Sequence, residues 1–199
     1  MYLHFEGLDL AGKSTLCNRL KEKWPVEQTR HNSISDGNIL YEKANELRKK
    51  DSLDSELLGW LYYAAMILDF EKFSKSEGRI IQDSTILLRS LAFHLGHKTP
   101  VLPEFLIKAL DKHPRFDYSF VLVASRECRL KRLEKRRENQ LGPEDFIVRD
   151  NPDLFYKMES ILVDYSIKYF NAKVIDTSDL ESPEKSDLII ESIIKMVGV

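Results

Sequence analysis

Glu6-Gly7-Leu8-Asp9-Leu10-Ala11-Gly12-Lys13-Ser14-Thr15 is the stretch from which the rest of this chain can be read. It fits G-x-x-x-x-G-K-[ST], with Gly7 and Gly12 as the outer glycines. Glycine lets the backbone curl until successive N–H groups point inward at phosphate oxygens. Lys13 adds a positive charge for the terminal phosphates, and the Ser14 hydroxyl suits the accompanying magnesium. A helix beginning near Lys13 contributes the favourable end of its dipole. Met1 to Phe5 is short, aromatic and apolar, as a buried strand is. After the loop, Leu16 and Leu20 stand four apart on one helix face. Strand, glycine loop and helix follow in the order a nucleoside triphosphate site needs. A turn used only for tight packing does not require the Lys-Ser pair.

The 199 residues suit one domain spanning 1–199, large enough to bury a substantial core. A hydrophobic fraction of 43% and a charged fraction of 31% belong to ordinary globular chains. The formal charge of −2 argues against broad binding of a nucleic acid polymer. Cys17 and Cys128 give neither a disulfide framework nor zinc spacing. Nothing in the N-terminal run reads as a secretory signal and no apolar run has membrane-span length, so the cytoplasm is the expected compartment.

Further along, a polar strand is expected at 26–30 and a loop at 33–37, followed by helices at 38–50 and 54–75. The second has a wide apolar face. Arg79 to Asp83 reads as a strand ending on a carboxylate, and 85–95 as a helix. Pro103 opens a short helix to Leu110, and Phe120-Val121-Leu122-Val123 lies in the clearest buried strand. A charged helix is expected from Glu127 to about Asn139, interrupted by Leu141-Gly142-Pro143. A helix at 153–170, a strand at 173–176 and a last helix capped at Ser182 complete the order. Strands alternating with helices give a five-stranded parallel α/β sheet with helices on both faces, a three-layer P-loop sandwich.

Ligands collect outside the carboxyl ends of parallel strands, so Asp83 is expected to face the loop and to orient magnesium or an attacking group. Capping of the following helix is the structural alternative for Asp83. Arg129, Arg132 and Arg136 have i, i+3, i+7 spacing within a basic run, which suits a mobile lid at about 136–150 that brings guanidinium groups to phosphate. A solvated helix with pairs such as Glu127–Lys131 is the alternative for each arginine taken singly. The five histidines show no catalytic or metal grouping.

These residues together resemble the thymidylate kinase family. Phe5-Glu6-Gly7-Leu8-Asp9 and Ala11-Gly12-Lys13-Ser14-Thr15 are similar to its opening, and Gly78 to Asp83 to the strand ending in its Asp-Arg-Tyr/His motif. Ser90-Leu91-Ala92-Phe93-His94 resembles the Ser-x-Ala-Tyr-Gln run, Arg129 to Arg137 its lid, and Val174-Ile175-Asp176 its last strand. The resemblance implies transfer of ATP's terminal phosphate, with Mg2+, to dTMP or a related nucleoside monophosphate. It implies that Gly7, Leu10, Ala11, Gly12, Lys13, Ser14, Thr15 and Arg129 hold the donor. Lys13, Asp83, Arg132 and Arg136 are the expected catalytic residues, with Ser14 and Asp83 at the metal. It places Asp9 at the acceptor's sugar with Glu6 nearby, and Arg137 among the lid arginines that serve where position 10 is not Arg. A homodimer is implied in the same way.

The sequence departs from that family where the acceptor binds. Ser84 replaces the phosphate-gripping Arg, Ala65-Met66-Ile67 replaces Ala-Asp-Arg, and Arg30-His31-Asn32-Ser33 stands for Arg-Glu-Pro-Gly. Arg30, Arg48 and Arg89 are the candidates to replace the lost grip, because a buried phosphate needs a cationic partner. A kinase for an unphosphorylated nucleoside and a catalytically silent nucleotide-binding module are the competing readings.

Overall fold

The computed structural model describes residues 1–50, 54–74, 77–136, 141 and 143–198. Strand β1 (Tyr2–Glu6) is buried along its whole length. It is flanked by β3 (Ile80–Asp83) and β4 (Tyr118–Val123), with β2 (Gln28–His31) and β5 (Lys173–Asp176) outside them. The order is β2-β3-β1-β4-β5, and every pairing is parallel. Side chains alternate across β1. Leu3 and Phe5 pack with Leu16, Leu20, Ile190 and Ile193 of helices α1 (Lys13–Lys23) and α9 (Pro183–Val197). On the opposite face, His4 meets the rings of Phe116 and Phe170. The larger apolar cluster on that side draws on α3 (Ser55–Lys72), α4 (Ile86–Gly96), α5 (Leu102–Leu110) and α8 (Pro152–Phe170).

The parallel register brings Phe5 level with Asp83 and His31 level with Asp83, so three strands end together beside the loop. Asp83 does not cap the next helix: Thr85 does, accepting from the Leu88 amide at 3.3 Å. Asn38 caps α2 (Ile39–Lys49), Asp54 caps α3 and Asn151 caps α8, each accepting an amide hydrogen three residues on.

Two expectations need correction. Helix α6 (Arg126–Lys135) stops before Asn139, and Arg136 is extended at φ −75°, ψ 142°. Glu134, Lys135 and Arg136 offer no apolar side chain to hold another helical turn to the core, and residues 137–140 lie outside the described residues. The three arginines therefore do not share one helix face. The stretch after Gly142 is itself a helix, α7 (Pro143–Asp150), where no helix was expected. Proline at the first position followed by Glu144 and Asp145 is a helix-start signature that favours the dipole. Arg137 lies outside the described residues. Among the described residues no helix is long and apolar enough to cross a membrane.

Candidate active site

The loop between β1 and α1 wraps around its own lysine. Lys13 Nζ donates to the carbonyls of Gly7 at 2.6 Å and Leu8 at 3.3 Å. Gly12 has φ +80°, and an added Cβ would lie 2.9 Å from Leu180 Cδ2 and 3.3 Å from Arg132 Nη1, so both conformation and space require glycine. Leu10 also has positive φ, 64°, at a cost of about 1–2 kcal/mol for an L residue. Arg132 steadies it, donating to Leu10 O at 2.8 Å and to Thr177 O at 2.5 Å. The Thr177 hydroxyl in turn donates to Ala11 O at 2.7 Å.

Asp83 closes the other side. Its carboxylate is buried, and the Ser14 hydroxyl donates to Oδ2 at 3.4 Å. A buried carboxylate with only long contacts suits a divalent cation, which oxygen donors of this kind bind when phosphate completes the shell. Lys13, Ser14 and Asp83, all predicted, thus come together around a cavity of ≈ 180 Å³ that residues 10–15 also line. Burial, together with Arg89, pulls the Lys13 ammonium below the usual lysine range, against the pull of Asp9, Asp83 and Glu6.

A second cavity of ≈ 410 Å³ adjoins the first, and Asp9, Asn32, Arg89 and Arg136 line both. Its walls include Tyr41, Asn45, Arg48, Tyr62, Phe93 and His94. Each of its arginines faces a carboxylate. Arg89 Nη2 donates to both Asp9 oxygens at 2.9 and 2.8 Å, Arg48 to Glu144 at 2.8 Å, and Arg136 to Asp145 at 2.5 Å. Burial would raise the Asp9 pKa, but Arg89 and Lys13 outweigh it and hold it well below the carboxylate range. The same pairing, followed by Glu6, raises Arg89. Burial presses the His94 imidazole down to about 4. A third hollow of ≈ 370 Å³ lies between Arg19, Lys135, Leu180 and the back of the loop, with Arg132 and Arg136 on its wall.

Other predicted residues are placed elsewhere. Arg129 is fully buried: Nη2 pairs with Glu159, Nε donates to Ala124 O at 3.1 Å and Nη1 to Asp9 O at 2.5 Å. Glu6 is 0% exposed, bound by the Gly7 amide at 3.0 Å and the Thr85 amide at 2.9 Å. It braces both ends of the site from beneath. Arg30 lies within β2, donating to Ile34 O at 2.7 Å, and lines neither cavity. Arg48 and Arg89 therefore remain as the cations brought to the larger cavity from the candidate set, joined by Arg136. Ala65 and Met66 are buried in the core. Asn32, Tyr41, Tyr62, Glu144 and Asp145 were missed by sequence reasoning. Only the helix-start signature at 143–145 could have pointed to the last two.

Residues 5–182 match the family model described as thymidylate kinase. No curated protein sequence matches the chain. Several solved structures share its fold. The thymidylate kinase of Candida albicans aligns with a TM-score of 0.64 at 15% identity, covering 98% of this chain and 90% of that one. That of Ehrlichia chaffeensis gives 0.63 at 18% identity over 100% of this chain and 98% of its own. The deoxyadenosine kinase of M. mycoides, solved with dCMP and a flexible dCDP bound, gives 0.63 at 17% identity over 98% and 100%. Such likeness fixes the fold as a P-loop NTPase sandwich. The family match covers most of the chain and carries the assignment further: the protein belongs to the thymidylate kinase family and is a nucleotide kinase that phosphorylates a nucleoside monophosphate.

Proposed function

We propose that the protein moves the terminal phosphate of ATP to dTMP or a closely related monophosphate, with Mg2+. The carrying observation is the convergence of Arg48, Arg89 and Arg136 on a ≈ 410 Å³ cavity that meets the phosphate loop at Asp9. Three guanidinium groups suit the two negative charges of an acceptor phosphate, and their carboxylate partners keep them in place until it arrives. An acceptor phosphate oxygen is already deprotonated at neutral pH, so the site needs no general base. Positioning and charge stabilisation carry the chemistry.

In this reading the loop amides of residues 10–15 and the α1 N-terminus take the donor's phosphates, and Lys13 turns from its own carbonyls to the terminal ones. Ser14 and Asp83 hold the magnesium, which supplies positive charge to the phosphate oxygens. Arg132 and Arg129 support the loop from behind, while Arg136 stands between the two phosphate sites as the lid's transferring-phosphate contact. The hollow beside Arg19 and Leu180 suits the donor nucleoside. Asp9, through Arg89, aligns the acceptor, and Tyr41, Tyr62 and Phe93 give its base apolar surface with Asn45 at hand for its edge. Residues 1–199 act as one domain with 136–150 as the lid, in the cytoplasm. The partly exposed apolar residues of α3, including Leu57 and Ile67, suit a homodimer.

ADP release over a panel of monophosphates, with nucleosides as controls, tests this. Turnover is expected with dTMP or a related deoxynucleotide and to vanish in Lys13→Ala. Turnover no higher than that variant's for every monophosphate overturns it.

A further inference from the structure

The pairing of β2 with β3 puts His31 directly beside Asp83. His31 Nδ1 lies 3.4 Å from Asp83 Oδ2, the same separation that Ser14 Oγ has from that oxygen. Two ligands of one ion ~2.1 Å from it are ~3.0 Å apart in an octahedral shell and ~3.4 Å apart in a tetrahedral one. His31 Nδ1 and Ser14 Oγ thus each stand at a separation from Asp83 Oδ2 that neighbouring donors to a common cation adopt. The His31 side chain is exposed and makes no hydrogen bond among the described residues besides its contact with Asp83, so it can meet a ligand in the cavity it lines. The same cavity is lined by Ser84, whose buried hydroxyl has no hydrogen-bond partner. Among the described residues no three His, Cys, Asp or Glu side chains gather as a self-sufficient metal site. The remaining donors must come from nucleotide phosphates and water.

We propose that His31 ligates the nucleotide-bound metal through its imidazole nitrogen, so that this site, which works with Mg2+, holds Mn2+ or Co2+ more tightly than its oxygen donors alone would. Mg2+ takes oxygen donors almost exclusively, whereas first-row transition ions gain affinity from imidazole. This deepens the kinase reading of the phosphate loop and rests on it.

The test uses the full chain labelled with 15N-histidine, Mn2+ and the non-hydrolysable β,γ-imido analogue of ATP. Pulsed electron paramagnetic resonance is expected to show a histidine nitrogen coupled to the Mn2+ spin. The coupling disappears in His31→Gln while Mn2+ and nucleotide stay bound. Equilibrium binding of the analogue with each metal should show the Mn2+-over-Mg2+ preference falling about tenfold in that variant. Bound Mn2+ and nucleotide with no histidine coupling, or an unchanged preference, overturns the role of His31 and leaves the kinase reading standing. Failure of the analogue to bind with either metal overturns both.

Discussion

Arg89 and Asp9 are joined by a two-oxygen hydrogen bond from one guanidinium nitrogen, at 2.9 and 2.8 Å, across 80 residues of chain. The contact ties α4 to the phosphate loop at the boundary of the two cavities. Removing Arg89 leaves Asp9 without its main counter-charge and takes one of the three guanidinium groups from the larger cavity. Arg89→Ala is expected to raise the acceptor's KM by roughly ten- to a hundredfold, the worth of one or two charge-assisted hydrogen bonds. The KM for ATP should change little, since the loop amides and Lys13 remain. Steady-state kinetics with each substrate varied in turn checks this, and equal losses for both substrates would contradict it.

Arg132 distinguishes a charge acting on phosphate from a brace acting on the loop. Its two terminal nitrogens reach Leu10 O and Thr177 O, on separate segments. Lysine keeps the charge but cannot span both carbonyls. As a brace, Arg132→Lys should behave like Arg132→Ala, with stability lower by roughly 1–3 kcal/mol and weaker nucleotide binding. Urea unfolding and nucleotide titration of both variants give the answer. Near-normal turnover in the lysine variant would mean that charge alone matters.

The loop and its flanking strand and helix were legible because they depend on near neighbours: Gly7, Gly12, Lys13 and Ser14 lie within eight residues. Asp83 was legible because a parallel strand's carboxyl end faces the ligand side wherever it falls. Arg129 was misread because helical spacing shows that arginines share a direction but not what waits there. Its partners, Glu159 and Asp9 O, come from distant segments. Glu6 was similarly invisible as a brace, since its bonds to Thr85 depend on the β1–β3 pairing. The larger cavity is assembled from α2, α3, α4, α7 and α8, so no local pattern encodes it.

The buried Arg129–Glu159 pair makes a separate prediction about stability. Burial holds the Glu159 carboxyl above its usual range and Arg129 below its own, so each charge depends on the other. Arg129→Met should cost about 3–5 kcal/mol by leaving Glu159 charged and alone. Adding Glu159→Met to Arg129→Met should recover the part due to that lone charge. A deficit of roughly 1–3 kcal/mol should persist, because Ala124 O and Asp9 O still lack their donor. A double-mutant cycle by urea unfolding measures both parts, and full recovery would show that the two carbonyls do not need Arg129.

His113 links acid sensitivity to the core. Its ring packs against Phe70, Phe116 and Phe170, and Nδ1 donates to Pro114 O at 2.7 Å. Burial pushes its pKa down to about 3, with His4 and Arg115 adding to the effect and Glu6 opposing it. In the unfolded chain a histidine titrates near ~6.5. Between those values the unfolded state binds a proton that the folded state refuses, so stability is whole above ~pH 6.5 and falls as the pH drops. The contribution of this one group is about 1.4 kcal/mol per pH unit between ~pH 6 and 4. His113→Gln is expected to flatten the stability profile by that amount, whatever it costs at neutral pH. Urea unfolding at successive pH values compares the slopes, and parallel profiles for the variant and the parent would refute the assignment.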